Sequence, residues 1–247
     1  MKKHAVFLLP VLIFCATPSL RAGETTVSFK TADGCTLEAF YLAPSSGAYV
    51  FVNSHGLGSD KNEWRVFETA LEKAGIGYLS FDFRGHGRSL KCGGTAVDYR
   101  NFTAAEWPLL SRDIKAAVGF LRSKKTPQRM IILCGASIGA NLSVKAAAEG
   151  LAPAGVALLS PGLEYAGVNI TDFFHAGSGA RLFIAAAPDD VYAWKSSLYL
   201  ARLAKKKKIA ISFRAGASGH GVKMFTDGGS SLSDDILGWT KNLKNRE

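Results

Sequence analysis

The strongest constraint on the fold is the alternation of short, β-rich apolar runs with longer helical patterns along the chain. This alternation implies an α/β fold, in which a mostly parallel sheet is covered by helices on both faces. The first two runs flank the turn residues Asp33-Gly34, which predicts an opening hairpin. Eight strands are predicted, at residues 27–30, 37–41, 49–53, 78–81, 130–134, 156–160, 182–186 and 209–213. Helices are predicted near residues 62–74, 105–121, 138–149, 193–205 and 232–243.

The N-terminus resembles a secretory signal peptide, predicted at 1–22, and 23–247 is predicted to be a single domain without repeats or linkers. Two lysines precede an apolar run at 5–16. The run contains Pro10 and is shorter than the roughly 20 residues of a membrane-spanning helix, so no transmembrane span is expected. A lipid anchor at Cys15 stays an alternative, because that residue lies in a weak lipoprotein-like sequence. We therefore expect export to the bacterial periplasm or cell envelope.

The composition is that of a globular, basic protein. Hydrophobic residues make up 47% of the chain and charged residues 20%, which excludes extensive disorder. Four consecutive lysines at 205–208 contribute to the net charge of +10. Such a run at the end of a helix is typical of a solvated face that suits the helix dipole. Binding of this run to an anionic lipid or polymer stays an alternative, and no nucleic-acid partner is predicted.

Three cysteines follow the predicted signal peptide, which permits one disulfide and one free thiol in an oxidising compartment. Cys134 ends an apolar run and is predicted to be buried and free. Cys35 and Cys92 then remain as a candidate pair, but sequence gives no distance between them, so their pairing stays open.

The sequence Gly135-x-Ser137-x-Gly139 lies between a predicted strand and a predicted helix. In that context it forms a nucleophile elbow, a tight turn that holds the serine in a strained backbone conformation. The turn also aims the N-terminus of the next helix at the place where negative charge develops during attack on a carbonyl. Ser137 is the predicted nucleophile.

A serine hydroxyl needs a base within hydrogen-bond reach, and His220 is the best candidate. It lies in a glycine-rich loop after the last predicted strand. His175 is interpreted as a surface or core residue. The acid that orients the base is expected after the 182–186 strand, where Asp189 and Asp190 both qualify. We prefer Asp190, and expect the aspartate that is not used to cap the helix that starts near residue 193.

The sequence His55-Gly56-Leu57-Gly58 follows the third predicted strand. A backbone N–H in this position can complete an oxyanion hole. The predicted donors are the N–H groups of Leu57 and Ile138, and His55 is expected to brace the loop rather than to transfer protons.

A further loop, Asp82-Phe83-Arg84-Gly85-His86-Gly87-Arg88-Ser89, follows the fourth predicted strand. Together with the three motifs above, it resembles the α/β-hydrolase superfamily, and more narrowly its serine-aminopeptidase-like and dienelactone-hydrolase-like branch. The resemblance spans about residues 27–243.

The resemblance implies a triad of Ser137, Asp190 and His220, an oxyanion hole from Leu57 and Ile138, and no metal or organic cofactor. Dienelactone hydrolases use a cysteine nucleophile, so their substrate does not carry over to this chain. Only about twenty residues separate the sixth and seventh predicted strands, too few for a large helical lid.

The expected reaction is therefore two-step acyl transfer on a small-molecule ester or acyl substrate. Peptidase, thioesterase or acyltransferase chemistry with the same triad stays open. A non-catalytic binding protein on the same fold is the alternative from another class. The oligomeric state does not follow from the sequence.

Overall fold

The computed structural model describes residues 21–171, 174, 181–226 and 231–244, and is built around one large sheet. The strands are β1 (Thr25–Lys30), β2 (Cys35–Leu42), β3 (Val50–Ser54), β4 (Gly77–Phe81), β5 (Lys91–Cys92), β6 (Thr95–Ala96), β7 (Ile131–Ala136), β8 (Gly155–Leu159), β9 (Glu164–Tyr165), β10 (Val168–Asn169), β11 (Arg181–Ala186) and β12 (Ile211–Ala215). The large sheet has the order β12-β11-β8-β7-β3-β4-β2-β5-β6, with β1 paired to β2, while β9 and β10 form a separate hairpin.

The six strands from β12 to β4 pair in parallel, and the pairs that β2 forms are antiparallel. This confirms the predicted mostly parallel sheet with an opening antiparallel hairpin. All eight predicted strands are present within one or two residues of their expected bounds.

The sheet has two strands more than the eight that were predicted. The additional strands, β5 and β6, contain only two residues each, too few to produce a periodic pattern in the sequence. β5 pairs with the start of β2, where Cys35 lies opposite Cys92. The two cysteines form a disulfide, and Cys134 is buried and free.

Helices cover both faces of the sheet, as predicted. They are α1 (Arg65–Lys73), α2 (Ser111–Ser123), α3 (Ile138–Ala146), α4 (Val191–Lys206) and α5 (Ser231–Lys244). Because side chains alternate along a strand, each central strand contributes to two separate apolar layers. One layer packs against α2, α3 and α4, and the other against α1 and α5.

The carboxyl ends of the parallel strands meet at one edge of the sheet, where the candidate site residues are found. β3 leads to the 55–58 loop, β7 leads to Ser137, and β11 leads to the two aspartates. His220 follows β12 at the same edge. The topology therefore brings together segments that are far apart in the sequence.

Several sequence predictions concern residues outside the described part of the chain. They include Cys15, His175 and nearly all of the predicted signal peptide, as well as much of the segment before β11 where a lid would be inserted. Within the described residues, no helix is long and apolar enough to cross a membrane. The lysines at 205–208 are exposed at the end of α4.

Candidate active site

Ser137 lies in a tight turn between β7 and α3 and has φ of +55° and ψ of −122°. This conformation is strained for a residue with a side chain, as expected of a nucleophile elbow. The two flanking positions have no room for a side chain and must be glycine. A Cβ atom at Gly135 would lie 2.2 Å from the carbonyl oxygen of Gly139, and one at Gly139 would lie 2.3 Å from that of Ser54. The close approach of these backbones fixes Ser137 at the edge of the sheet.

His220 and Asp190 are in direct contact, with 2.5 Å between His220 Nδ1 and Asp190 Oδ2. The imidazole is 44% exposed and the carboxylate 16% exposed. A carboxylate can only accept a hydrogen bond, so the contact places the imidazole proton on Nδ1. The other ring nitrogen, Nε2, is then free to act as a base.

The two aspartates have roles that differ in part from the prediction. We expected the aspartate that does not orient the histidine to cap α4, but Asp190 does both. It is the N-cap of α4, and its Oδ1 accepts the N–H of Ala193 at 3.4 Å. The helix begins at Val191, two residues earlier than predicted, which makes Asp190 the capping position. Asp189 instead accepts the N–H of Gly219 at 3.0 Å, directly before His220.

The loop that carries His220 is held on both sides. Asp189 binds Gly219, and the hydroxyl of Ser160 accepts the N–H of Gly221 at 2.9 Å. Gly221 also lies against Ala136, because a Cβ atom there would be 3.2 Å from the Ala136 Cβ. These contacts bring the His220 loop next to the serine turn.

The contact between Gly221 and Ala136 brings the chain segments of His220 and Ser137 together. Among the described side chains, the hydrogen bond of His220 is with Asp190 and not with Ser137. Catalytic hydrogen bonds of free enzymes are often long and shorten when substrate binds. The structure thus joins Asp190 to His220 and places Ser137 at the same edge of the sheet.

The peptide between Gly56 and Leu57 is fixed in orientation. The carbonyl oxygen of Gly56 accepts hydrogen bonds from His55 Nδ1 at 2.7 Å and from the N–H of Ser59 at 3.2 Å. Because a trans peptide is planar, the N–H of Leu57 points away from this carbonyl. Gly56 packs against Ser137, because a Cβ atom at position 56 would lie 3.5 Å from the Cβ of Ser137. The loop that carries the Leu57 N–H therefore lies beside the serine turn.

The second predicted donor is the N–H of Ile138. Ile138 is the first residue of α3, and the first N–H groups of a helix have no acceptor within the helix. The helix dipole adds positive potential at this end. Two orientated N–H groups near Ser137 can bind a developing oxyanion.

Glu63 is a site residue that the sequence analysis missed. Its Oε1 accepts the N–H of Gly56 at 3.0 Å, so the carboxyl group supports the Leu57 loop from behind. Burial raises the pKa of Glu63, while the nearby His220 has a smaller, lowering effect. No motif singles out this glutamate in the sequence, because its role depends on the packing of its helical turn against the loop.

His55 is fully buried and braces two loops, as predicted. Its Nδ1 donates to Gly56, and its Nε2 accepts the N–H of Phe83 at 3.0 Å. Burial lowers the pKa of His55 to about 4. The ring is therefore neutral and structural at neutral pH.

The loop at residues 82–89 serves as a support for the site. Asp82 is fully buried and accepts hydrogen bonds from the N–H and the Nζ of Lys61, both at 2.7 Å. Arg84 binds Asp113 and Asp33 through its guanidinium group. These buried ion pairs fix the loop, and the guanidinium of Arg84 holds the pKa of Asp33 well below its usual range.

The sheet topology, the strained serine turn and the Asp190–His220 contact define an α/β-hydrolase. The model of the serine aminopeptidase S33 family matches residues 45–200, which is more than half of the chain. The protein therefore belongs to the serine aminopeptidase S33 family. None of the curated proteins compared with the sequence matches it.

Solved structures with the same fold include several esterases. An esterase from Pyrococcus furiosus is 17% identical, with a TM-score of 0.72 and coverage of 89% of this chain and 91% of that one. A thermostable carboxyl esterase from Bacillus coagulans is 12% identical, with a TM-score of 0.72 and coverage of 90% and 99%. The acylaminoacyl peptidase of Pyrococcus horikoshii is 14% identical, with a TM-score of 0.69 and coverage of 90% and 41%. At identities this low, the likeness establishes the fold and leaves the substrate to be determined.

Proposed function

We propose that this protein is a serine hydrolase that cleaves a carboxylic ester through an acyl-enzyme on Ser137. The observation that carries the proposal is the 2.5 Å contact between Asp190 and His220 next to the strained Ser137 turn. Candidates for the nucleophile, the base and the orienting acid of acyl transfer lie at the same edge of the sheet. The esterases among the structural neighbours support an ester as the substrate.

In the first half-reaction, Nε2 of His220 takes the proton of Ser137 as Oγ attacks the carbonyl carbon. Asp190 stabilises the imidazolium that forms. The N–H groups of Leu57 and Ile138 bind the oxyanion of the tetrahedral intermediate, and losing one such donor costs about 3 kcal/mol of transition-state stabilisation. His220 then protonates the leaving alcohol. In the second half-reaction, water attacks the acyl-enzyme by the same route.

The family description favours a second candidate, a peptidase with the same triad. The acylaminoacyl peptidase among the structural neighbours has the same fold. Parallel assays with a p-nitrophenyl ester and an aminoacyl p-nitroanilide would separate the two, because the p-nitroanilide reports only amide cleavage. A thioesterase would be detected with an acyl thioester in the same panel.

Labelling with a fluorophosphonate probe tests the serine mechanism directly. We expect modification of Ser137 in the wild type and its loss in Ser137→Ala and His220→Ala. Ser123→Ala is a matched control, because Ser123 lies at the exposed end of α2 and bonds only the carbonyl of Phe120. Folded wild-type protein that is not labelled would contradict the proposal and favour a binding protein on this fold.

We also propose that the protein is exported as a single mature domain after removal of residues 1–22. The Cys35–Cys92 disulfide supports an oxidising compartment, where such bonds persist. N-terminal sequencing of the mature protein would identify the cleavage site. A lipid-modified cysteine at position 15 would instead support the alternative of a lipid anchor.

A further inference from the structure

A short hairpin lies at the carboxyl edge of the sheet and is formed by β9 and β10. Its two turn residues, Ala166 and Gly167, both have positive φ, which is the signature of a tight two-residue turn. The hairpin is fastened to α3 by Asn141, which is fully buried. The amide of Asn141 donates to the carbonyl oxygens of Gly162 at 3.0 Å and Val168 at 2.9 Å.

The hairpin is also fastened to α4, through Tyr192. The hydroxyl of Tyr192 donates to the carbonyl of Glu164 at 2.9 Å and accepts its N–H at 3.1 Å. The ring of Tyr192 packs edge-on against that of Tyr165, with 5.6 Å between centroids. Gly162 must be a glycine here, because a Cβ atom would lie 2.6 Å from the Tyr165 ring and 2.8 Å from the Tyr192 ring. Tyr165 is therefore held in one position.

Tyr165 faces the reacting groups. Its ring stands perpendicular to the imidazole of His220, with 6.4 Å between centroids. Its hydroxyl donates to the carbonyl oxygen of Ser160 at 3.3 Å. The carbonyl oxygen of the preceding residue, Leu159, accepts the N–H of Ser137 at 2.9 Å, so the phenol lies beside the serine turn. Burial and the negative charge of Asp190 raise the pKa of Tyr165, so the phenol keeps its proton at all pH values of interest.

We infer that Tyr165 is a further catalytic residue, which donates a hydrogen bond to the leaving-group oxygen when the tetrahedral intermediate collapses. This inference rests on the proposed function. In the intermediate, the leaving oxygen and Ser137 Oγ are bonded to the same carbon, so a phenol beside the serine turn and the His220 ring is close to the leaving oxygen. The oxyanion lies toward the N–H groups of Leu57 and Ile138, which leaves the side of His220 and Tyr165 for the leaving group.

The present hydrogen bond of Tyr165 is easily exchanged. Its length of 3.3 Å exceeds the usual range for a hydrogen bond from a hydroxyl group to an oxygen acceptor, so its loss is a small cost. In the proposed step, the bond between the acyl carbon and the leaving oxygen breaks, and that oxygen takes both bonding electrons. His220 delivers the proton that it took from Ser137. The phenol keeps its own proton and stabilises the negative charge while it is on the leaving oxygen.

Tyr165→Phe tests this role, because it removes the hydroxyl and keeps the ring. The substrates are the p-nitrophenyl, phenyl and ethyl esters of one acid, whose leaving groups are increasingly basic. We expect kcat/KM for the ethyl ester to fall about 10- to 100-fold, the effect of one hydrogen bond to a charged oxygen. We expect almost no loss for the p-nitrophenyl ester, because its leaving group needs no such help.

Two further variants separate catalysis from structure. Tyr192→Phe removes the anchor on Glu164, so any loss that comes from a loosened hairpin should be the same for all three esters. Tyr199→Phe is a neutral control, because its ring is 49% exposed on α4. Fluorophosphonate labelling of Ser137 should persist in all three variants.

The outcomes are distinct. A loss in Tyr165→Phe that increases from the p-nitrophenyl to the ethyl ester supports the inference. An equal loss for all esters, or no loss, would overturn the role of Tyr165 while labelling of Ser137 leaves the proposed function intact. A wild-type protein that is neither labelled nor active on any ester would overturn both.

Discussion

Removing the Cys35–Cys92 disulfide should lower the free energy of unfolding by about 4 kcal/mol. The bond joins residues that are 57 positions apart, so it closes a long loop in the unfolded chain. A closed loop of that length removes about 14 cal/mol/K of entropy from the unfolded state, or about 4 kcal/mol at 25 °C. That loss is a large part of the stability of an ordinary domain.

Urea unfolding of the Cys35→Ala/Cys92→Ala variant and the wild type would measure the difference. Wild-type protein treated with a reductant should behave like the variant, and the reductant should not affect the variant itself. The slope of free energy against urea should increase, because an unlinked unfolded chain exposes more surface. A difference below about 1 kcal/mol would refute the loop-entropy argument, since that argument depends only on loop length.

Three further predictions concern the site. Asp190→Asn should lower kcat by about 10⁴-fold, because the imidazole loses its orientation and tautomer; kinetics on a p-nitrophenyl ester would check this, and unchanged kcat would rule out Asp190 as the acid. Burial keeps His55 neutral in the fold while the unfolded chain takes up a proton below pH 6.5. The contribution of His55 to the free energy of unfolding should therefore fall by about 3 kcal/mol as the pH drops from 6.5 to 4. Urea titrations should show a smaller pH-dependent loss in His55→Asn than in the wild type. Glu63→Ala leaves the N–H of Gly56 without its acceptor and should lower kcat about 10-fold or more. Glu63→Gln keeps an acceptor oxygen and should therefore recover part of the lost kcat. An equally low kcat in both variants would show that the negative charge of Glu63 matters, and not its hydrogen bond to Gly56.

The fold could be predicted from the sequence because buried parallel strands are continuous apolar runs that stand out between helical patterns. The glycines on either side of Ser137 were the clearest sequence signal for the candidate site. Their role depends on local backbone geometry, and Gly135 and Gly139 leave no space for a side chain. Strands β5 and β6 could not be predicted, because two residues each are too few to produce a periodic pattern.

The supporting residues of the site were not predictable for a different reason. Glu63 and Tyr165 lie in segments without a motif. Glu63 contacts the turn seven residues before it, and Tyr165 contacts His220, which is distant in the sequence. The capping role of Asp190 was missed because α4 starts two residues earlier than its apolar pattern indicates. Such boundaries depend on side-chain hydrogen bonds that a pattern of hydrophobic residues does not contain.

The two contacts of Asp190 make the first turn of α4 part of the candidate active site. Its carboxylate binds the imidazole of His220 and caps the helix at Ala193. Helix ends open more readily than a packed core, and the first two residues of α4, Val191 and Tyr192, are about half exposed. Fraying of this turn would release the carboxylate from the imidazole while the sheet remains folded. The proposed catalysis would therefore depend on the first turn of α4 remaining closed, and we expect heat to lower activity before it unfolds the domain.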